Sequence, residues 1–397
     1  MDFNLRDHTI MLALNGSRAY GINTENSDVD LIGICAPPKE YYFGYLKKFE
    51  QADSSSHFNQ FFDLLNEEEY AAATSTKAEG SVYEVSKFIR LAADCNPSII
   101  QALFCRDRDV KLITPLGQMI RDCRDVFLSM LCKHTFSGFA FSQLKKIILH
   151  RKYLLNKITK EPAREDFGLS QQPIIKKSYL DSINAAIRKV IDGWEIDFLG
   201  MAESEKIYVH GQIESYLRDM NLYGADIAYT AASKKIGCDD NLIEILEKER
   251  RYKVAHEEYK KYLEWKKNRN PERAALEAKY GYDLKNASHL YRLLLMCREI
   301  LTTGKVNVFR EDREDILAVR NGAWSYDQIV EFAKKQDEEL TELYKTCTIL
   351  PHSPDRVKID ALCVEIIEEA LRAKPQESRF HYEDLESSGL FDRYLEE

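Results

Sequence analysis

No apolar run in the chain approaches the ~18–20 residues that cross a bilayer, and none of the nine cysteines, spread from Cys35 to Cys363, forms a CxxC pair. The first absence predicts a chain with no membrane partner. The second leaves neither a disulfide framework nor a zinc site, so the cysteines are expected to be reduced and mostly buried. Glycine and proline are sparse, at 17 and 10 of 397 residues, which excludes collagenous and low-complexity chains. Basic residues are not in excess: 56 Lys and Arg stand against 65 Asp and Glu, a net charge of −9. Such a balance argues against non-specific coating of nucleic acid, so any polyanion must meet a local basic surface. The opening residues, Met1-Asp2-Phe3-Asn4-Leu5-Arg6-Asp7, carry acid where a secretory leader carries base, and a cytoplasmic location is expected.

The remaining pattern divides the chain. Thr9-Ile10-Met11-Leu12-Ala13-Leu14 is a compact apolar run ending at Asn15-Gly16, and Val29 to Ile34 is a second run, stopped by Pro37-Pro38. Both read as strands of one sheet. Apolar residues at Val82, Val85, Phe88, Ile89 and Ala92 predict a helix over 81–95, which Asn96-Pro97 ends. Beyond residue 115 helical periodicity dominates. The expectation is an α+β protein with an N-terminal domain over 1–112, a mixed sheet with packing helices, followed by a mainly α-helical domain over 113–397. Sub-boundaries fall near 156–172 and 232–242. Glu244 to Tyr280 is densely charged and reads as a long helix interrupted near Asn270-Pro271.

The chemistry concentrates in Gly16-Ser17-Arg18-Ala19-Tyr20-Gly21 and Ser27-Asp28-Val29-Asp30-Leu31. Residues two apart on a strand share a face, so Asp28 and Asp30 project together while Val29 and Leu31 turn to the core. Two carboxylates on one face can hold two Mg²⁺ ions about 3.5–4 Å apart, the arrangement that supports in-line phosphoryl transfer; Mn²⁺ suits the same ligands. Gly16 lets the backbone approach phosphate, the Ser17 hydroxyl can donate to it, and Arg18 adds charge. A calcium loop starting at Asp28 fails, because Lys39 stands at its twelfth position. A Walker-type loop fails because Ile22-Asn23 stands where Lys-Ser/Thr is required.

The combination resembles the catalytic signature of the DNA polymerase β-type nucleotidyltransferase superfamily. Gly33-Ile34-Cys35-Ala36-Pro37-Pro38 through Gly44, Lys87 to Leu91, Trp265 to Arg273, Gly281-Tyr282-Asp283-Leu284-Lys285 and His289 to Leu293 resemble its bacterial and phage RNA-repair branch. That branch carries His where this chain has Asn286, which puts in question any role of that side chain in proton transfer or substrate binding.

The resemblance implies an enzyme that transfers a nucleotide from an NTP, ATP or CTP being favoured, to an acceptor hydroxyl. An RNA 3′ end is the favoured acceptor. A hydroxyl on a partner protein is the alternative, and a silent nucleotide-binding module a third reading. The superfamily also uses a third carboxylate. Glu79, beside the apolar Val82-Tyr83, is preferred to Glu84, because Ser81-Val82-Tyr83-Glu84 reads as a capping box. On a helix Lys285, His289 and Arg292 share one face, suited to a triphosphate or an RNA backbone. Arg269 with Arg273, and Lys145, Lys146, Arg151 and Lys152, form further basic clusters. His134, His150, His210 and His256 have no ligand at metal spacing in the sequence. Nothing in the sequence sets an oligomeric state.

Overall fold

The computed structural model describes residues 2–24, 27–192 and 224–372. Its sheet has five strands, β1 (Thr9–Asn15), β2 (Val29–Cys35), β3 (Gln51–Ala52), β4 (Ala78–Glu84) and β5 (Val110–Ile113), in the order β3-β4-β2-β1-β5. β1 runs antiparallel to β2 and β5, and β2 runs parallel to β4, so the sheet is mixed.

Both faces of the central strands are covered, which is why they read as unbroken apolar runs rather than alternating ones. Met11, Ala13, Ile32 and Ile34 join the larger core, packed by helices. Leu12, Leu14, Val29, Leu31 and Val82 face the opposite way, onto Phe58 and Phe61. Asp30 has the parity of Ile32 and Ile34, so it opens toward the helical side.

The expected helix over 81–95 begins only at Val85. Ser81 to Glu84 continue β4 in register with Ile32 to Cys35 of β2, so Ser81 caps nothing. Glu84 is itself the N-cap, accepting from the backbone N–H groups of Ser86 at 2.9 Å and Lys87 at 3.0 Å.

After β5 the described residues are helical or irregular. The longest helices are Leu131–Leu155, Asp240–Lys267, Leu284–Thr303 and Tyr326–Thr346. The expected break in the charged segment falls between Lys267 and Pro271. The boundary expected over 232–242 is narrower, because the helix Gly224–Lys235 runs into it. No helix among the described residues is long and apolar enough to cross a membrane.

The chain forms two compact units, and they do not divide at residue 113. One joins Met1–Leu154 to Glu272–Glu397, and the other is Leu155–Pro271. The physical reason lies in the helix Leu284–Thr303. Its Leu290, Leu293, Leu294, Cys297 and Ile300 are fully buried in the same core as Ile34, Phe88 and Ile100. Without that helix, the apolar side of the sheet's helical layer would face water. The inserted unit has its own small core of Ile187, Tyr229, Ala232 and Leu246, and an ion pair between Arg164 and Glu249.

Candidate active site

Asp28 is exposed immediately before β2, and Asp30 is half-buried at its second position. The parallel register sets Glu79 of β4 directly beside Asp30, and neighbouring strands lie about 4.8 Å apart. Burial pushes the Asp30 carboxyl up to about 6; Lys285 and Arg18 oppose the rise, while Asp28 and Glu79 add to it. Like charges and desolvation thus oppose ionisation where no cation is bound. Glu79 is held by an ion pair with Lys77. The rival Glu84 stands opposite Cys35, five residues further along the strand, with its carboxylate committed to the cap.

The short helix α1 (Gly16–Tyr20) starts where β1 ends. Gly16 adopts a φ of +63°, and a Cβ built there would lie 1.9 Å from Asp30 Oδ2, so only glycine admits the carboxylate at this position. Ser17 is half-buried in the first turn, and its carbonyl accepts from Ile22 N–H at 2.9 Å. At 100° per residue, Gly16 and Tyr20 share one side of the helix and Arg18 takes the other. Arg18, expected in the phosphate cradle, donates from its guanidinium to Glu68 at 2.9 Å and to the Ser27 carbonyl at 3.3 Å.

The basic face expected on the Leu284–Thr303 helix converges on the same place. Lys285 is exposed and acts electrostatically on Asp30. Arg292 is buried, with its guanidinium 3.7 Å from the Tyr20 ring centroid and a donor to Met296 Sδ at 3.1 Å. Burial, together with Arg292, Lys285, Arg320 and Arg273, pushes His289 down to about 3, so its ring is neutral at pH 7. Among the described residues, no carboxylate forms an ion pair with Lys285, Arg292 or Arg320.

Several contributors were not legible in the sequence. Tyr20 hydrogen-bonds Gln101. Arg320 donates to the Ile22 carbonyl at 3.1 Å, and the Arg310 N–H donates to the Tyr20 carbonyl at 3.1 Å. All three join the end of α1 to residues 80 to 300 positions away, and no local spacing announces such contacts.

Asp283, expected within the Gly-Tyr-Asp-x-Lys element, is the buried N-cap of the Leu284–Thr303 helix. Its carboxylate accepts from Asn286 N–H at 3.0 Å, Asn286 Nδ2 at 2.9 Å and the Arg273 guanidinium at 3.2 Å, with His150 Nδ1 at 3.2 Å. Burial works to raise its pKa, but the His150 hydrogen bond, the Arg273 charge and the Asn286 N–H outweigh it and hold the group well below the usual carboxylate range. Arg273, expected in a basic cluster with Arg269, and His150, expected as a histidine without a carboxylate, both bind the buried Asp283.

His150, Glu277 and Asp283 are also the one trio among the described residues whose potential ligand atoms all lie within 4.8 Å of one another. The Asp283 oxygens are already engaged by the donors just described. Asp28, Asp30 and Glu79 do not form so tight a set. Of the remaining basic residues, Arg269 lies 4.4 Å from the Trp265 ring centroid, Arg151 lies 4.3 Å from that of Tyr326, and Lys145 and Lys146 are exposed. His210 lies outside the described residues.

A mixed five-stranded sheet with packing helices followed by a largely helical remainder is consistent with a polymerase β-like domain plus a helical domain. Residues 4–160 match the model of the RNA repair pathway DNA polymerase beta family. The match implies a nucleotidyltransferase that uses an NTP and a divalent metal in RNA repair. No curated protein and no solved structure gives a significant match.

Proposed function

We propose that the protein transfers a nucleoside monophosphate from an NTP to the 3′ hydroxyl of an RNA, releasing pyrophosphate. The observation that carries this reading is the meeting of Asp30 and its in-register neighbour Glu79 with a basic helix face that lacks acidic partners. Asp28, Asp30 and Glu79 offer carboxylates for a divalent-metal site: Gly16 leaves room for the Asp30 carboxylate, and a bound cation would favour the ionised form that burial, with Asp28 and Glu79, opposes. Mg²⁺ held there supplies activation of the acceptor hydroxyl and charge neutralisation on the leaving pyrophosphate.

Lys285, Arg292 and Arg320 are unpaired cations, and an anionic triphosphate supplies the missing counter-charge. Neutral His289 can donate one hydrogen bond to it without adding charge. Gly16 and Ser17 stand at the other side of the same triphosphate. The acceptor oxygen bonds to the α-phosphorus, the bond from that phosphorus to the α–β bridging oxygen breaks, and the hydroxyl proton passes to solvent. The protein's share is positioning and electrostatics rather than covalent chemistry.

The test is incubation with Mg²⁺, each labelled NTP in turn, and total RNA, beside an Asp28→Ala/Asp30→Ala control. Label in RNA with the wild type and none with the double variant is the expected result. Label in protein but not RNA would replace the acceptor, and label surviving the double substitution would sink the metal ligands.

A further inference from the structure

Arg292 is held against α1 by three side chains that carry no charge. Its guanidinium carbon lies 3.7 Å from the ring centroid of Tyr20, the last residue of α1. The Tyr20 hydroxyl donates to Gln101 Oε1 and lies 3.4 Å from Asn15 Oδ1. Gln101, on the helix Pro97–Leu103, donates from Nε2 to Met296 Sδ at 3.8 Å, and the same sulfur accepts from Arg292 Nη1 at 3.1 Å. Tyr20, Gln101, Met296 and Arg292 thus form a closed, buried loop across three helices. Asn15 precedes Gly16 and pairs with Asp30, so the loop abuts the turn and the strand that carry the candidate site.

A guanidinium that is 2% exposed ordinarily meets a carboxylate, because burying an unpaired charge is costly. Arg292 instead meets an aromatic face and a thioether. Both fix its position and neither removes its charge. Its Nε has no hydrogen-bond partner. Position 101 is where neutralisation would be simplest. Glutamate has the shape of glutamine, would still accept from the Tyr20 hydroxyl, and would bring a negative charge beside the sulfur that Arg292 contacts. The neutral amide ties the loop together and leaves the cation uncompensated.

We propose that Tyr20 and Gln101 are positioning residues: they lock Arg292 against α1 and keep its charge uncompensated, so that its field acts on the phosphates of an NTP bound at Gly16 and Ser17. At 2% exposure Arg292 acts across the core rather than by contact, and a low dielectric keeps its field strong there. The assignment rests on the triphosphate reading above and adds that the amide at position 101, by not being a carboxylate, sets the affinity for that anion.

The test uses the full chain and inorganic tripolyphosphate with Mg²⁺, titrated by calorimetry, beside steady-state kinetics with labelled NTP and RNA. Gln101→Glu should weaken tripolyphosphate binding at least about tenfold and raise the KM for NTP by a similar factor, with less than about a twofold change in the KM for RNA. Gln101→Met, neutral and of similar length, should stay within about threefold of wild type in both binding and the KM for NTP. Tyr20→Phe keeps the ring and should likewise stay within about threefold, whereas Tyr20→Leu removes it and should lose at least about fivefold in affinity. Melting temperatures report the fold, and the two Tyr20 variants carry the test if Gln101→Glu does not fold. Wild-type affinity in Gln101→Glu or in Tyr20→Leu would overturn the assignment. Equal losses in Gln101→Glu and Gln101→Met would overturn it too, because packing rather than charge would then be responsible. A wild type that binds neither tripolyphosphate nor NTP would overturn the triphosphate reading itself, and this assignment with it.

Discussion

The Asp30 carboxylate lies directly against the α-carbon of Gly16, so closely that a methyl group there would sit 1.9 Å from Oδ2. The glycine opens α1 directly after β1 and the aspartate lies near the start of β2, where Asn15 and Asp30 pair across the ladder. The Gly-Ser turn and the acidic pair, separate motifs in the sequence, are one steric unit.

Gly16→Ala should therefore act mainly on the site. The left-handed backbone costs a non-glycine residue about 1–2 kcal/mol, and the methyl group also forces the Asp30 carboxylate to move. A fall in NMP transfer of at least about 100-fold is expected, since a 1 Å misplacement at a reacting centre can cost that much. Thermal unfolding and the labelled-NTP assay measure the two effects. Full activity in this variant would mean that Asp30 does not work from the position described.

The raised pKa of Asp30 carries a definite sign. With a folded value of about 6 against 3.8 for a free aspartate side chain, the native state binds the extra proton between those values, so stability falls as pH rises from about 4 to 6 and levels above. Two pKa units correspond to about 3 kcal/mol. Asp30→Asn should raise metal-free stability at pH 7 by up to about 3 kcal/mol, have little effect near pH 4, and abolish transfer. Urea denaturation at the two pH values decides it. In the wild type, Mg²⁺ affinity should increase as pH rises through 6, because binding displaces that proton.

Glu79 and Glu84 are separable by two substitutions. Glu79→Gln should cut transfer by about 100-fold or more with little change in melting temperature, because it removes a proposed metal ligand from an exposed position. Glu84→Gln should cost about 0.5–2 kcal/mol of stability through the lost cap and keep transfer within a fewfold of wild type. The opposite pattern would exchange their roles.

Arg292→Met tests the unpaired cation. A buried charge without a carboxylate carries a desolvation penalty of several kcal/mol, against about 2 kcal/mol from a desolvated cation–π contact with Tyr20. The ligand-free variant should be as stable as the wild type or more so. Inorganic tripolyphosphate should raise the melting temperature of the wild type and do so far less in the variant. Equal shifts in both would remove Arg292 from the anion site.

Much of the sheet was legible in the sequence, because β1 and β2 are short apolar runs bounded by turn residues and need no knowledge of their neighbours. The Asp28/Asp30 spacing is equally local: Asp30 is the second residue of β2 and Asp28 lies just before the strand. Glu84 was misread because Ser81 is consistent with both a cap and a strand, and pairing with β2 decided the matter. Arg18 was placed with Gly16 because they are near in sequence, whereas a helical turn sends them to opposite sides. His150 had no visible carboxylate, since Asp283 comes from 133 positions away. The helix Leu284–Thr303 showed its basic face in its periodicity, but periodicity alone does not reveal that Lys285 acts on Asp30 or that the helix's apolar side completes the core beside the sheet.

The discontinuous first unit has a consequence for synthesis. A ribosome that has finished residue 154 must still make residues 155–271 before the partner helices begin, a delay on the order of 10 s at about 5–20 residues per second. During that interval the nascent N-terminal segment lacks the Leu284–Thr303 helix that later shares its core. The inserted unit thus sets how long a half-built apolar face stays exposed on the growing chain.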